Sequence, residues 1–144
     1  MLQTASLANQ IKEFYERVSV ERGEALVDLP RLYGDSVHFI NPVVDQQGLA
    51  AFREAWDNAL RKYKVFLFHD IEVIGTDERF TLTYSMTIAF GFGPRFTTDM
   101  ATSCRSKDGK VVFCRDYFDP LGSLVQPFGP VRWFYRKLFG LLVA

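Results

Sequence analysis

Four apolar-rich runs dominate the second half of the chain: residues 65–74, 80–90, 95–104 and 110–119. Between them lie Gly75-Thr76-Asp77-Glu78, Gly91-Phe92-Gly93-Pro94 and Lys107-Asp108-Gly109, all turn-forming material. Long strands joined by such short turns make an antiparallel meander, and a meander needs cover on its apolar face. The first half of the chain supplies that cover. Leu7, Ile11, Phe14, Tyr15 and Val18 recur at helical spacing and predict an amphipathic helix over 5–20. Residues 25–33 predict a second, short helix around Leu26, Leu29 and Leu32. Residues 48–63 predict a third, with Leu49, Phe52, Trp56 and Leu60 on one face. Val37-His38-Phe39-Ile40 reads as a short strand ended by Asn41-Pro42. Helices first and a meander afterwards predict an α+β fold, with the helices packed on one sheet face.

The last hairpin allows a register to be written. With Asp108-Gly109 as a two-residue loop, Lys107 faces Lys110, Ser103 faces Cys114 and Ala101 faces Asp116. Cys104 then points to the other face from Cys114, so the two thiols are expected as buried small hydrophobes and not as a disulfide. Two cysteines and two histidines at scattered positions give no metal-ligand spacing, and no cofactor is expected.

Lys+Arg and Asp+Glu balance at 17 each, so no global field draws nucleic acid or an anionic membrane. The opening MLQTASLANQ has no basic segment followed by an apolar one, and no run reaches the length of a membrane span. The expected location is the cytoplasm. A length of 144 residues fits one domain with a sizeable core. Residues 1–120 form its body and residues 121–144 a helical extension.

The order helix, helix, short strand ending in Asn-Pro, helix, meander resembles the nuclear transport factor 2-like superfamily. The matching stretches are LYGDSVHFINP (32–42), the helix from Gly48, and DGKVVFCRDYFDP (108–120). The superfamily includes ketosteroid isomerase, polyketide cyclases of the SnoaL type and limonene epoxide hydrolase. The resemblance implies a cystatin-like cone, with N-terminal helices packed on a curved antiparallel sheet. It also implies which positions carry chemistry. Tyr15 falls near the isomerase's oxyanion-donating tyrosine, and Asp99 or Ala101 falls near its second acid. Its general base would be residue 41, which is Asn41 here, and an amide takes no proton at neutral pH. Asp116 matches the aspartate on the last strand of the epoxide hydrolase. That enzyme's Arg and second Asp would fall on Ser85 and Thr87, which cannot reproduce its charge pattern.

The resemblance places Asp116 on the concave side of the sheet. Strand alternation then adds Val112, Cys114 and Phe118, and the hairpin register adds Asp99, Ala101 and Ser103. Thr83, Ser85 and Thr87 are expected as a polar stripe on that side. Leu82, Tyr84, Met86, Ile88 and Phe90 are then expected outside, as an apolar face covered in a homodimer. His38, Asn41, Trp56 and Tyr15 come from elements that close the cone. The candidate catalytic set is therefore Asp116, Tyr15, His38 and Asp99. The candidate pocket is lined by Asn41, Trp56, Thr83, Ser85, Thr87, Ala101 and Phe118. Asp119, before Pro120, reads as a strand stop and cap.

In the extension, Val131, Phe134, Tyr135, Leu138, Leu141 and Leu142 share one helical face, and Arg132, Arg136 and Lys137 share another. Three placements are open: a lid over the pocket, a crossing to a partner copy, or a membrane interface. With only three basic residues, the membrane is the least expected. Two functions fit the whole. One is acid–base chemistry without a cofactor on an apolar organic substrate, as isomerase, cyclase or hydrolase. The other is a non-catalytic binding or interaction module with a filled pocket.

Overall fold

The computed structural model describes residues 5–143. Ser6 starts α1 (Leu7–Glu21), its side chain accepting the Asn9 amide hydrogen that the first turn would otherwise leave free. Leu7, Ile11, Phe14, Tyr15 and Val18 are buried along one side, as their spacing predicts. Arg22 ends the helix, and its guanidinium donates to the carbonyls of Leu60 and Tyr63, each at 2.6 Å. A cation there suits the negative C-terminal end of α3 (Leu49–Lys62). One side chain thus ties the two main covering helices together.

The second helix differs from expectation. A 3-10 segment (Arg22–Asp28) leads into a single turn, α2 (Leu29–Leu32), because Pro30 suits a helix start but not a helix interior. Tyr33 is already extended, so β1 runs Tyr33–Asn41, longer than the four residues expected. β2 (Val44–Gln47) was not foreseen. Asn41 creates it: its Oδ1 accepts the amide hydrogens of Val43 and Val44 at 2.9 and 2.8 Å, folding the chain back on β1.

The meander forms as β3 (Val65–Gly75), β4 (Arg79–Ala89), β5 (Phe96–Lys107) and β6 (Lys110–Tyr117). The sheet order is β2-β1-β6-β5-β4-β3, antiparallel except where β1 lies parallel to β6. Gly75 is obligatory in the first turn: its φ is 120°, and a Cβ would stand 2.4 Å from the Arg79 carbonyl oxygen.

The last hairpin carries the main correction. Asp108 and Gly109 both take positive φ, and Lys107 faces Lys110 as expected. Ser106 then faces Val111 but Arg105 faces Phe113, so Val112 is an extra, bulged residue. Beyond it every pair moves by one: Cys104 faces Cys114, Thr102 faces Asp116 and Ala101 faces Tyr117. A one-residue slip exchanges the faces of a strand. Asp99, Ala101 and Ser103 therefore lie on the convex side, away from Asp116. Cys104 and Cys114 are buried as expected, but on one face, as free thiols with Sγ atoms 3.7 Å apart.

The faces of β4 are also reversed from the expectation. Phe80, Leu82 and Tyr84 are buried beneath the helices, whereas Thr81, Thr83 and Ser85 alternate onto the outside. The physical reason is simple: α1 and α3 offer an apolar surface, and only the apolar parity of β4 can bury it. Of the stripe expected at a dimer interface, Leu82 and Tyr84 belong to the core and Met86 and Ile88 pack against it, and the convex face is largely polar.

Asp119 stops the last strand as expected, its carboxylate accepting the Gly122 amide hydrogen at 2.8 Å to cap α4 (Pro120–Val125). The extension is helical, ending in α5 (Gly129–Val143). It starts against β5, where the Ser123 hydroxyl donates to Thr98 Oγ1, and it does not cover the concave side as a lid. Neither α4 nor α5 buries a residue.

Candidate functional site

Between the helices and the concave face of the sheet lies a cavity of about 450 Å³. Its walls are aromatic: Tyr15 of α1, Phe52 and Trp56 of α3, Phe66 and Phe68 of β3. Tyr15 packs against Phe68, Tyr84 and Trp56 with ring centroids 4.9, 5.3 and 5.7 Å apart. The sheet contributes Tyr84, Met86, Met100, Cys114 and Asp116, with Phe118 just beyond β6, while Asn41, Val43 and Lys62 stand at the edge. Asp116 is the one acid in this lining.

A chain of hydroxyls leads to that acid. The Tyr84 hydroxyl is 2.8 Å from Thr102 Oγ1, and Thr102 donates to Asp116 Oδ1 at 2.6 Å. A threonine hydroxyl has one hydrogen, so while it gives it to Asp116 it accepts from Tyr84. Burial holds the Tyr15 and Tyr84 hydroxyls well above the usual tyrosine range, which keeps both protonated. Burial also pushes the Asp116 carboxyl up to about 6, against the opposing pull of the Thr102 hydrogen bond. A carboxyl poised there exchanges protons readily near neutrality.

Two further polar atoms at the cavity lack partners. Trp56 Nε1 and Gln46 Oε1 are buried with no hydrogen bond. Leaving such groups unmet is costly in a folded protein; both atoms are covered by their neighbours, so a ligand atom meets them only where a neighbouring side chain gives way. Among the described residues, no group of three or more His, Cys, Asp or Glu is placed to hold a metal ion.

Of the residues singled out by sequence, the cavity gathers Asp116, Tyr15, Asn41, Trp56 and Phe118. Asn41 has its oxygen committed to the β1–β2 turn. The others lie elsewhere. His38 alternates with the cavity residue Phe39, and its ring faces Asp45, with Nε2 2.6 Å from Oδ1, and the edge of Phe113. Asp99 accepts a hydrogen bond from Ser85 at 2.8 Å on the convex side. Thr87 joins His69 and Thr97 there in a second polar chain, at 3.0 and 2.9 Å. Thr83 pairs with Ala101 on that same side.

Tyr84, Thr102, Gln46, Met86 and Met100 were not foreseen. The hydropathy of β4 was signal enough for Tyr84 and Met86, since the apolar parity of a half-buried strand faces the core. Thr102 and Met100 were hidden by the bulge at Val112. Gln46 sits on a strand that only the Asn41 turn reveals.

The family model described as SnoaL-like domain matches residues 11–114. No curated protein matches the chain. Solved structures show the same fold at low identity. A candidate polyketide cyclase from Pseudomonas putida superposes with a TM-score of 0.70 at 17% identity, over 85% of this chain and 98% of that one. A nuclear transport factor 2-like protein from Anabaena variabilis gives 0.68 at 17% identity, over 78% and 87%. One of unknown function from Burkholderia pseudomallei gives 0.70 at 14%, over 85% and 97%.

Proposed function

Because the chain belongs to the SnoaL-like domain family, we propose that its cavity binds a small, mostly apolar organic molecule and that Asp116 moves a proton on it. The observation that carries this reading is a single carboxyl, raised to about 6, in an aromatic cavity. Ionised above that pH, Asp116 can take a proton from a carbon or hydroxyl of the ligand; protonated below it, it can give one back. Tyr84 is committed to Thr102, so the donor to a carbonyl oxygen would come from the Tyr15 hydroxyl, which burial keeps protonated, or from Trp56 Nε1 where its cover gives way. An enolisable carbonyl compound suits this pairing of acceptor and donor. The polyketide cyclase description of the Pseudomonas putida neighbour agrees with that class. The base position of ketosteroid isomerase is Asn41, and the Arg–Asp positions of the epoxide hydrolase are Ser85 and Thr87, so neither mechanism transfers unchanged.

The alternative is a carrier that binds the same molecule without converting it. Both readings are tested together on apolar ketones, enones and small epoxides, with wild type beside Asp116→Asn. Ligand binding is read from quenching of tryptophan emission and turnover from product formation. Binding by both proteins, with turnover only in wild type, is the expected result. Equal turnover removes Asp116 from the mechanism, and binding with no turnover in either makes the protein a carrier.

A further inference from the structure

The extension is the part of the molecule that the cavity does not explain. Val131, Phe134, Leu138, Leu141 and Leu142 of α5 are 45–81% exposed. Leu121 and Leu124 of α4 and Phe128 of the connection are exposed as well. Apolar side chains gathered this densely on a surface mark an interaction site. At 3.6 residues per turn, the named α5 residues occupy one side of the helix. Arg132, Arg136 and Lys137 occupy the other, where they line a shallow groove with Gly129, Trp133 and Gly140 that Leu141 closes at one edge. Arg132 and Lys137 stand at the two borders of the apolar side. That position lets their long stems lie along an apolar phase while the charges reach its polar boundary.

Charge decides between the possible occupants. From Pro120 onward the chain has these three cations and no acid, which leaves residues 1–119 three charges acidic in a chain that is neutral overall. Two α5 helices packed by their apolar sides would bring Arg132 and Lys137 of each copy, four cations, to the rim of one contact, and the extension holds no acid to offset them. The apolar side chains exposed outside the extension, such as Val20, Val27, Val43, Leu67, Ile74 and Phe92, are scattered along the chain, with only Leu67 and Ile74 sharing an element, β3. An anionic lipid surface meets both requirements, with acyl chains for the apolar side and headgroup charge for the basic one. No helix among the described residues is long and apolar enough to cross a membrane, and α5, about 22 Å long, fits lying in the interface. The membrane was the least expected placement because of only three basic residues; the structure adds that Val131, Phe134, Leu138, Leu141 and Leu142 are all in the open, with Tyr135 alone of that side tied back to Asp119.

We propose that α5 is an interfacial anchor that seats the protein on anionic membranes, with Phe134, Leu138 and Leu142 inserted and Arg132, Arg136 and Lys137 at the headgroups. The test is cosedimentation of the full chain with vesicles of phosphatidylcholine alone, or with one-third phosphatidylserine, at low and high salt. Tryptophan quenching by brominated lipid, in Phe134→Trp beside wild type, reports insertion of the apolar side. Binding is expected on the anionic vesicles, weakened by salt, and lowered about a hundredfold in R132Q/R136Q/K137Q. It should be lost in F134Q/L138Q/L142Q, whose circular dichroism stays that of wild type because α5 buries nothing. Failure of the wild type to sediment, or sedimentation of either variant equal to that of wild type, overturns the proposal. So does a sedimentation-velocity dimer that ignores vesicles and dissociates in F134Q/L138Q/L142Q, since a second copy would then cover the helix.

Discussion

Asp116 and Asp99 sit on adjacent strands of one sheet and face opposite ways. Asp116 opens into an aromatic cavity, and burial raises its carboxyl to about 6. Asp99 stands on the exposed side, where Ser85 donates to it beside a ladder of hydroxyls. The sequence around each is similar, a carboxylate between β-formers. What separates them is the bulge at Val112, which sets which parity of β5 shares a face with Asp116. The chemistry of a carboxylate here follows from register, and the residue type alone decides little.

The largest effect should come from truncating the two faces at neighbouring positions. Leu82 is fully buried on the concave side and Thr83 half-buried on the other. Leu82→Ala should cost about 3 kcal/mol in denaturant unfolding, and Thr83→Ala no more than about 0.5. Equal costs would mean that the faces are assigned wrongly. Next in size, Asp116→Asn should lower turnover at least about a hundredfold, the scale of a lost acid–base group, while Asp99→Asn leaves it unchanged.

Stability should carry the mark of the same burial. Asp116 binds its proton more tightly folded, at about 6, than at its ordinary value of 3.8. Its contribution is therefore fully present below about pH 4 and is lost as pH rises to about 6, by about 2 kcal/mol after allowance for its partial exposure. Asp116→Asn should flatten that slope and be the more stable protein at pH 7. An unchanged slope in urea unfolding across this window would contradict the burial. The smallest change expected is in Thr102→Val, which removes the donor to Asp116 and moves its titration further up. A carbon-detected titration of the variant checks the direction.

Much of this was legible in the sequence, and for identifiable reasons. The spacing of Leu7, Ile11, Phe14, Tyr15 and Val18 fixed α1 and its buried side. The turn residues fixed four strands to within a few positions. CRDYFDP, with the resemblance it carried, led to Asp116, and Asp119 was recognised as a stop and cap. The site around Asp116 was less legible. A hairpin register extrapolated from Asp108-Gly109 holds only until the first bulge, and nothing in Lys110-Val111-Val112-Phe113 announces one. That slip assigned Asp99 and Ala101 to the cavity and concealed Thr102. The reversal in β4 was avoidable, because Leu82 and Tyr84 are the parity that α1 needs. His38 failed for another reason. It alternates with Phe39, and Phe39 packs on Phe52 of α3, which turns the imidazole outward to Asp45.

The central claim is that one carboxyl of this sheet is held in an apolar cavity in a state ready to exchange protons. A pH titration of the side-chain carboxyl carbons by NMR, assigned with Asp116→Asn and Asp99→Asn, tests it most directly. The account predicts a midpoint near 6 for Asp116, displaced when an apolar ketone occupies the cavity. A midpoint at the ordinary 3.8, unmoved by ligand, would contradict it.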